Sequence, residues 1–63
     1  MKNVLADLRK EHGYSQEKLA EMLGVSRQTI ISIEKGRFDP SLPLAFALAG
    51  IFEKHIEEIF TPE

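Results

Sequence analysis

In the run RQTIISIEKGR, residues 27–37, Arg27, Gln28, Ile31, Ser32 and Lys35 follow one another at spacings of one and three. On a helix advancing roughly 100° per residue they share an arc of about 140°. Ile30 and Ile33 fall on the opposite side. The arc offers two cations, an amide, a hydroxyl and a branched aliphatic group, and it contains no carboxylate. These are the groups that meet base edges in a DNA major groove. Arginine donates two bonds to guanine O6 and N7, glutamine pairs with adenine N6 and N7, a hydroxyl bonds a base or a phosphate, and an aliphatic side chain touches the thymine methyl. A solvated helix face is the competing interpretation. In a chain with ten Asp and Glu such a face would be expected to include an acid.

Positioning this arc requires a helix anchored from behind, and the flanking sequence supplies one. Glycines at 13, 24 and 36 each follow an amphipathic run and suit the left-handed position that ends a helix. Serines at 15, 26 and 41 each precede a new run and suit N-caps. None of the three has Glu or Gln three residues on, so no full capping box is expected there. The punctuation predicts five helices: about Lys2 to His12, Gln16 to Leu23, Arg27 to Lys35, Leu42 to Phe52 and Ile56 to Phe60. "TIISI" has strand propensity, but its serine and glycine boundaries and the spacing of its isoleucines favour a helix. No strand is expected. The fold class is all-α, one compact domain over residues 1–63.

The second and third predicted helices form a helix-turn-helix layout, about residues 16–35. The steep crossing needs a small residue, and Ala20 stands there. The turn needs tolerance of positive φ, and Gly24 stands there. The second helix of the pair must bury branched residues behind its exposed face, and Ile30 and Ile33 do so. With these features the stretch "LADLRKEHGYSQEKLAEMLGVSRQTIISIEKGRFDPSL" and the terminal "IEEIF" resemble the phage Cro and repressor type of helix-turn-helix, the XRE family of transcription regulators. The likeness spans nearly the whole chain and is strongest to short stand-alone members with a five-helix domain.

The resemblance implies a regulator that binds double-stranded operator DNA, usually as a homodimer, with the third helix in the major groove. It assigns Gln16 to a phosphate and to bracing the start of the reading helix. It pairs Arg9 in the first helix with Glu34 late in the third, a structural ion pair that orients the reading helix; the alternative is two independent solvated charges. The residues themselves place Arg27, Gln28, Ile31 and Ser32 on bases, and Thr29, Lys35 and Arg37 on phosphates. Ile31 departs from the polar residue common in similar sequences. It either reads a thymine methyl or packs on a neighbouring loop.

The formal charge of −2 hides a division. Residues 1–52 carry seven bases and six acids, whereas residues 53–63 carry Lys54 against four glutamates. The acidity is thus concentrated away from the reading arc. Cysteine is absent, which excludes disulfides and thiolate metal sites and fits a reducing cytoplasm. No secretory leader is evident, and the apolar run "LPLAFALAGIF" is too short to span a bilayer. His12 and His55 lack ligand-like spacing, Glu57 and Glu58 do not share a helix face, and no phosphate loop or nucleophile elbow occurs. Neither an enzyme nor a cofactor or metal is expected, and no small-molecule effector is evident. Tyr14 and Phe38 are expected to pack rather than to stack on bases.

The fourth helix departs from its likeness as well. Similar sequences carry charges on its outward face, where this one has Pro43, Ala47 and Gly50, with the large Phe46 nearby. Such a face suits a homodimer interface of Phe46, Ala47, Gly50 and Ile51; the alternative is a cover of Phe38 and the C-terminal segment. "EKH" at 53–55 replaces the Gly-x-Ser-like turn expected before "IEEIF". The sequence thus leads to a small repressor acting on a palindromic operator. Its rivals are the antitoxin of a toxin–antitoxin pair and a protein-interaction module without DNA binding.

Overall fold

The computed structural model describes residues 1–62. A short strand β1 (Lys2–Asn3) leads into α1 (Leu5–Glu11), α2 (Gln16–Leu23), α3 (Arg27–Glu34), α4 (Leu42–Phe52) and α5 (Ile56–Ile59), followed by β2 (Phe60–Thr61). The three serines cap as their positions predict. Ser15 Oγ accepts the Lys18 N–H at 2.9 Å, Ser26 Oγ that of Thr29 at 3.2 Å, and Ser41 Oγ that of Leu44 at 3.3 Å. Each bond satisfies a backbone donor that the first helical turn leaves without a partner.

Two expectations at the ends of the chain are corrected. The first helix begins at Leu5, not Lys2, because Asn3 intervenes. Its Oδ1 accepts the Leu5 N–H at 3.1 Å, a local turn that fixes the helix start, while its Nδ2 donates to the Ile33 carbonyl at 2.8 Å. Lys2 and Asn3 are left extended and pair antiparallel with Thr61 and Phe60. The Val4 N–H continues this join to the Ile59 carbonyl at 3.0 Å. Phe60 therefore belongs to a strand and not to the fifth helix, and the fold is helical with one two-stranded sheet.

All five helices contribute to one core. Leu5, Leu19, Ile30, Ile33, Leu48 and Ile59 are its largest fully enclosed side chains. Tyr14 packs against this core half-buried, its ring 6.3 Å from that of Phe52.

Four helix ends share one hydrogen-bond pattern, in which a backbone N–H just beyond the helix reaches back to a carbonyl five residues earlier. The donors are Tyr14, Val25, Arg37 and Lys54, and the acceptors Arg9, Ala20, Ser32 and Ala49. The motif requires a left-handed residue before the donor. Glycine fills that place after α1, α2 and α3, but after α4 it is Glu53, at φ 53° and ψ 45°. This is the structural meaning of the unusual "EKH". The turn keeps its form, and a side chain sits where one is disfavoured by about 1 kcal/mol. Glu53→Gly is expected to raise the thermal midpoint by a few degrees in a circular-dichroism melt, since ~1 kcal/mol moves a domain of this size by about 4–8 °C and glycine's unfolded-chain entropy offsets part of it.

The His55 N–H donates to Glu58 Oε1 at 2.9 Å. That bond holds the Glu58 carboxyl below its ordinary range; desolvation opposes it, and the charges of Lys54 and His55 add to it.

Candidate nucleic-acid interface

The α2–α3 unit is the most closely packed helix pair. Ala20 is buried at the crossing, and Gly24 turns the chain at φ 70°. Ser26 caps α3, and Ile30 and Ile33, both fully enclosed, pin its inner side to the core. With two isoleucines fixed one turn apart, the rotation of α3 is set, and the opposite side must face outward.

That outward side carries the sequence-predicted arc. Arg27, Gln28 and Lys35 are exposed, and Ile31 and Ser32 are half-buried. Gln28 Nε2 donates to Ser32 Oγ at 3.4 Å, aligning the amide along the helix. Ile31 lies outside the hydrophobic cluster, so the core does not account for it. Thr29 is half-buried at the edge, its hydroxyl 2.9 Å from Ser26 Oγ, and Arg37 is exposed just past the helix.

The single acid of α3 is turned away from the arc and neutralised. Glu34 Oε2 accepts from Arg9 Nε at 2.6 Å, and Oε1 accepts from Arg9 Nη2 at 3.3 Å. The two side chains are only 11% and 8% exposed. Arg9 Nη1 also donates to the Tyr14 carbonyl at 2.9 Å, tying the α1–α2 turn into the same cluster. Gln16 joins from the start of α2: its Nε2 donates to Glu34 Oε1 at 3.1 Å, and its Oε1 lies 3.5 Å from Arg27 Nη2. This two-sided arrangement connects the buried ion pair to the first residue of α3. Gln16 and Arg27 also line a polar hollow of about 440 Å³ at the N-terminal end of α2, together with Arg9, Ser15 and the carboxylate of Glu17.

A carboxylate-free helix face, pinned by an apolar back and braced by a buried ion pair, sits where a groove-reading helix belongs. A helix-turn-helix family model matches residues 5–59 of this layout. The chain belongs to the Cro/repressor-like helix-turn-helix family of DNA-binding transcriptional regulators. The members are regulators, not enzymes.

This helix-turn-helix regulator is 59% identical, over its whole length and 96% of the relative's, to an uncharacterized HTH-type transcriptional regulator of Methanocaldococcus jannaschii. It is 50% identical to the uncharacterized HTH-type regulator YgzD of Bacillus subtilis, with 95% of this chain and 91% of that one covered. Among solved structures it is similar to the restriction-modification controller protein C.AhdI of Aeromonas hydrophila. The TM-score there is 0.77 at 34% identity, covering 89% of this chain and 85% of the other.

Other parts of the regulator fall outside the reading face. His12 bonds the Leu8 carbonyl through Nδ1 at 3.0 Å and sets its ring edge-on to Phe52 at 4.9 Å, a packing role. Among the described residues no cluster of His, Asp and Glu is arranged to hold a metal, and no helix is long and apolar enough to cross a membrane. On α4, Ala45, Leu48 and Phe52 point inward. Pro43, Phe46, Ala47 and Gly50 are exposed, and Ile51 is half-buried against the core. Leu42 joins the exposed set at 64% and Phe46 stands at 61%. Leu42 was legible from spacing, since it precedes Phe46 by one turn.

Phe38 takes the edge position rather than the core one: it is 48% exposed and outside the hydrophobic cluster.

Proposed function

We propose that this regulator is a repressor that binds a palindromic operator as a homodimer, with α3 of each subunit in successive major-groove faces. The observation that carries this reading is the exposed arc of α3, cationic and free of carboxylate in a chain whose formal charge is −2. Arg27, Gln28, Ile31 and Ser32 contact bases. Gln16, Thr29, Lys35 and Arg37 hold the phosphates on either side. A compact domain seated across a promoter blocks the polymerase by occupancy alone, which is why repression is the favoured outcome.

Two features support the dimer. The Leu42–Phe46 face of α4 is apolar and exposed on a small domain, and one copy of that face is the natural complement of another across a two-fold axis. The reading face also has few cations, so a single subunit neutralises few phosphates and holds DNA weakly.

The test is titration of the regulator against duplex DNA from upstream of its own gene, at increasing salt. Affinity is expected to fall steeply, with a slope set by the number of phosphates contacted. A flat response would falsify the reading. Arg27→Ala and Gln28→Ala are each expected to lose about 1–3 kcal/mol of discrimination at one base pair, seen as relaxed preference in a panel of operator variants. Lys35→Ala is expected to weaken all duplexes alike and to lower the salt slope by about one.

A further inference from the structure

Phe38 is a large aromatic ring that the core does not use, on the loop just beyond α3. It lines a shallow groove of about 330 Å³ together with Ser26, Gln28, Thr29, Ser32 and Arg37. No carboxylate contributes to that lining. The lining brings together the hydroxyl pair of Ser26 and Thr29, 2.9 Å apart, the linked Gln28 and Ser32, a guanidinium and a phenyl ring. A ligand that fills such a groove has to present anionic oxygen to Arg37 and the hydroxyls, and C–H surface to Phe38. The groove also adjoins the two base-facing side chains Gln28 and Ser32. A sugar–phosphate backbone at the edge of a major groove supplies both chemistries in alternation.

We infer that Phe38 packs its ring on a deoxyribose of the DNA backbone, between phosphates held by Arg37 and by Thr29. This rests on the reading of α3 as the groove-entering helix. Phe38 then contributes affinity without base preference and without charge, a role distinct from that of every other residue assigned to the interface. The ring is half-exposed in the free protein, and removing its remaining surface from water by contact with a sugar is what gives the contribution.

The experiment measures binding of wild type, Phe38→Ala and Phe38→Tyr to an operator duplex and to an unrelated duplex of equal length, across salt concentrations. Phe38→Ala is expected to weaken both by about tenfold, the effect of leaving roughly half a phenyl ring exposed. Its salt slope and thermal midpoint should match those of wild type, and Phe38→Tyr should bind within about twofold of it. Wild-type affinity in Phe38→Ala overturns the inference while leaving the α3 reading intact. So does a loss confined to the operator, which would make Phe38 a base reader. A changed molecular mass or a large drop in melting temperature also overturns it, by assigning the ring to a subunit interface or to the fold. Failure of wild type to bind any duplex removes the α3 reading itself.

Discussion

Replacing Glu34 with alanine is expected to cost about 3–5 kcal/mol of folding stability, enough to leave the domain largely unfolded near room temperature. The magnitude follows from what remains. Arg9 keeps its bond to the Tyr14 carbonyl, but its Nε and Nη2 lose both carboxylate oxygens while the side chain stays 11% exposed. A stranded buried cation carries the desolvation cost that the pair had offset, and Gln16 loses an acceptor as well. A core this small contributes roughly 3–5 kcal/mol net, so the loss is comparable with the whole. Urea titration followed by circular dichroism reads the effect. The double variant Arg9→Met, Glu34→Leu is expected to recover most of the lost stability, since an apolar pair of similar volume strands no charge. A Glu34→Ala melt within about 3 °C of wild type would show instead an ordinary screened pair, of the kind worth at most about 1 kcal/mol.

The ion pair also illustrates which parts of the architecture were legible in the sequence. α2 and α4 run over the predicted residues, and α3 differs by one terminal residue, because their boundaries are written locally by a capping serine before each, an apolar period along α2 and α3, and a continuous apolar run in α4. The sheet was not legible. Two-residue strands have no period, and Lys2 pairs with Thr61 across nearly the whole chain. The one local hint was Asn3, whose short amide side chain competes with helix formation. The reading arc was visible because its carboxylate-free pattern depends only on helical geometry and on Ile30 and Ile33 fixing the rotation. Phe38 was less legible for the opposite reason. It lies in a loop, where no period says which way a side chain points, so an aromatic residue there can be placed at the core or its edge and no more closely. Glu53 shows a third case: the departure from glycine was visible, while the backbone's adoption of a left-handed angle despite it was set by packing of α4 and α5 on either side.

Phe46 provides the second large effect. Phe46→Glu is expected to convert the proposed dimer to monomer in sedimentation equilibrium and to reduce operator affinity by about 10²–10⁴-fold, the range lost when two linked binding events become independent. Phe46 stands 61% exposed in the isolated subunit and contributes nothing to the core, so the variant's melting temperature at low concentration should change little. In a two-fold interface the substitution acts twice, setting two carboxylates into an apolar contact where neither finds a partner. Reading helices one DNA turn apart lie about 34 Å from each other, so in the proposed dimer each sits about 17 Å from the axis. Binding to a duplex with a single half-site should be unaffected, which separates loss of dimerisation from damage to α3. A variant that remains dimeric would place the interface elsewhere and leave the Leu42–Phe46 face to another partner.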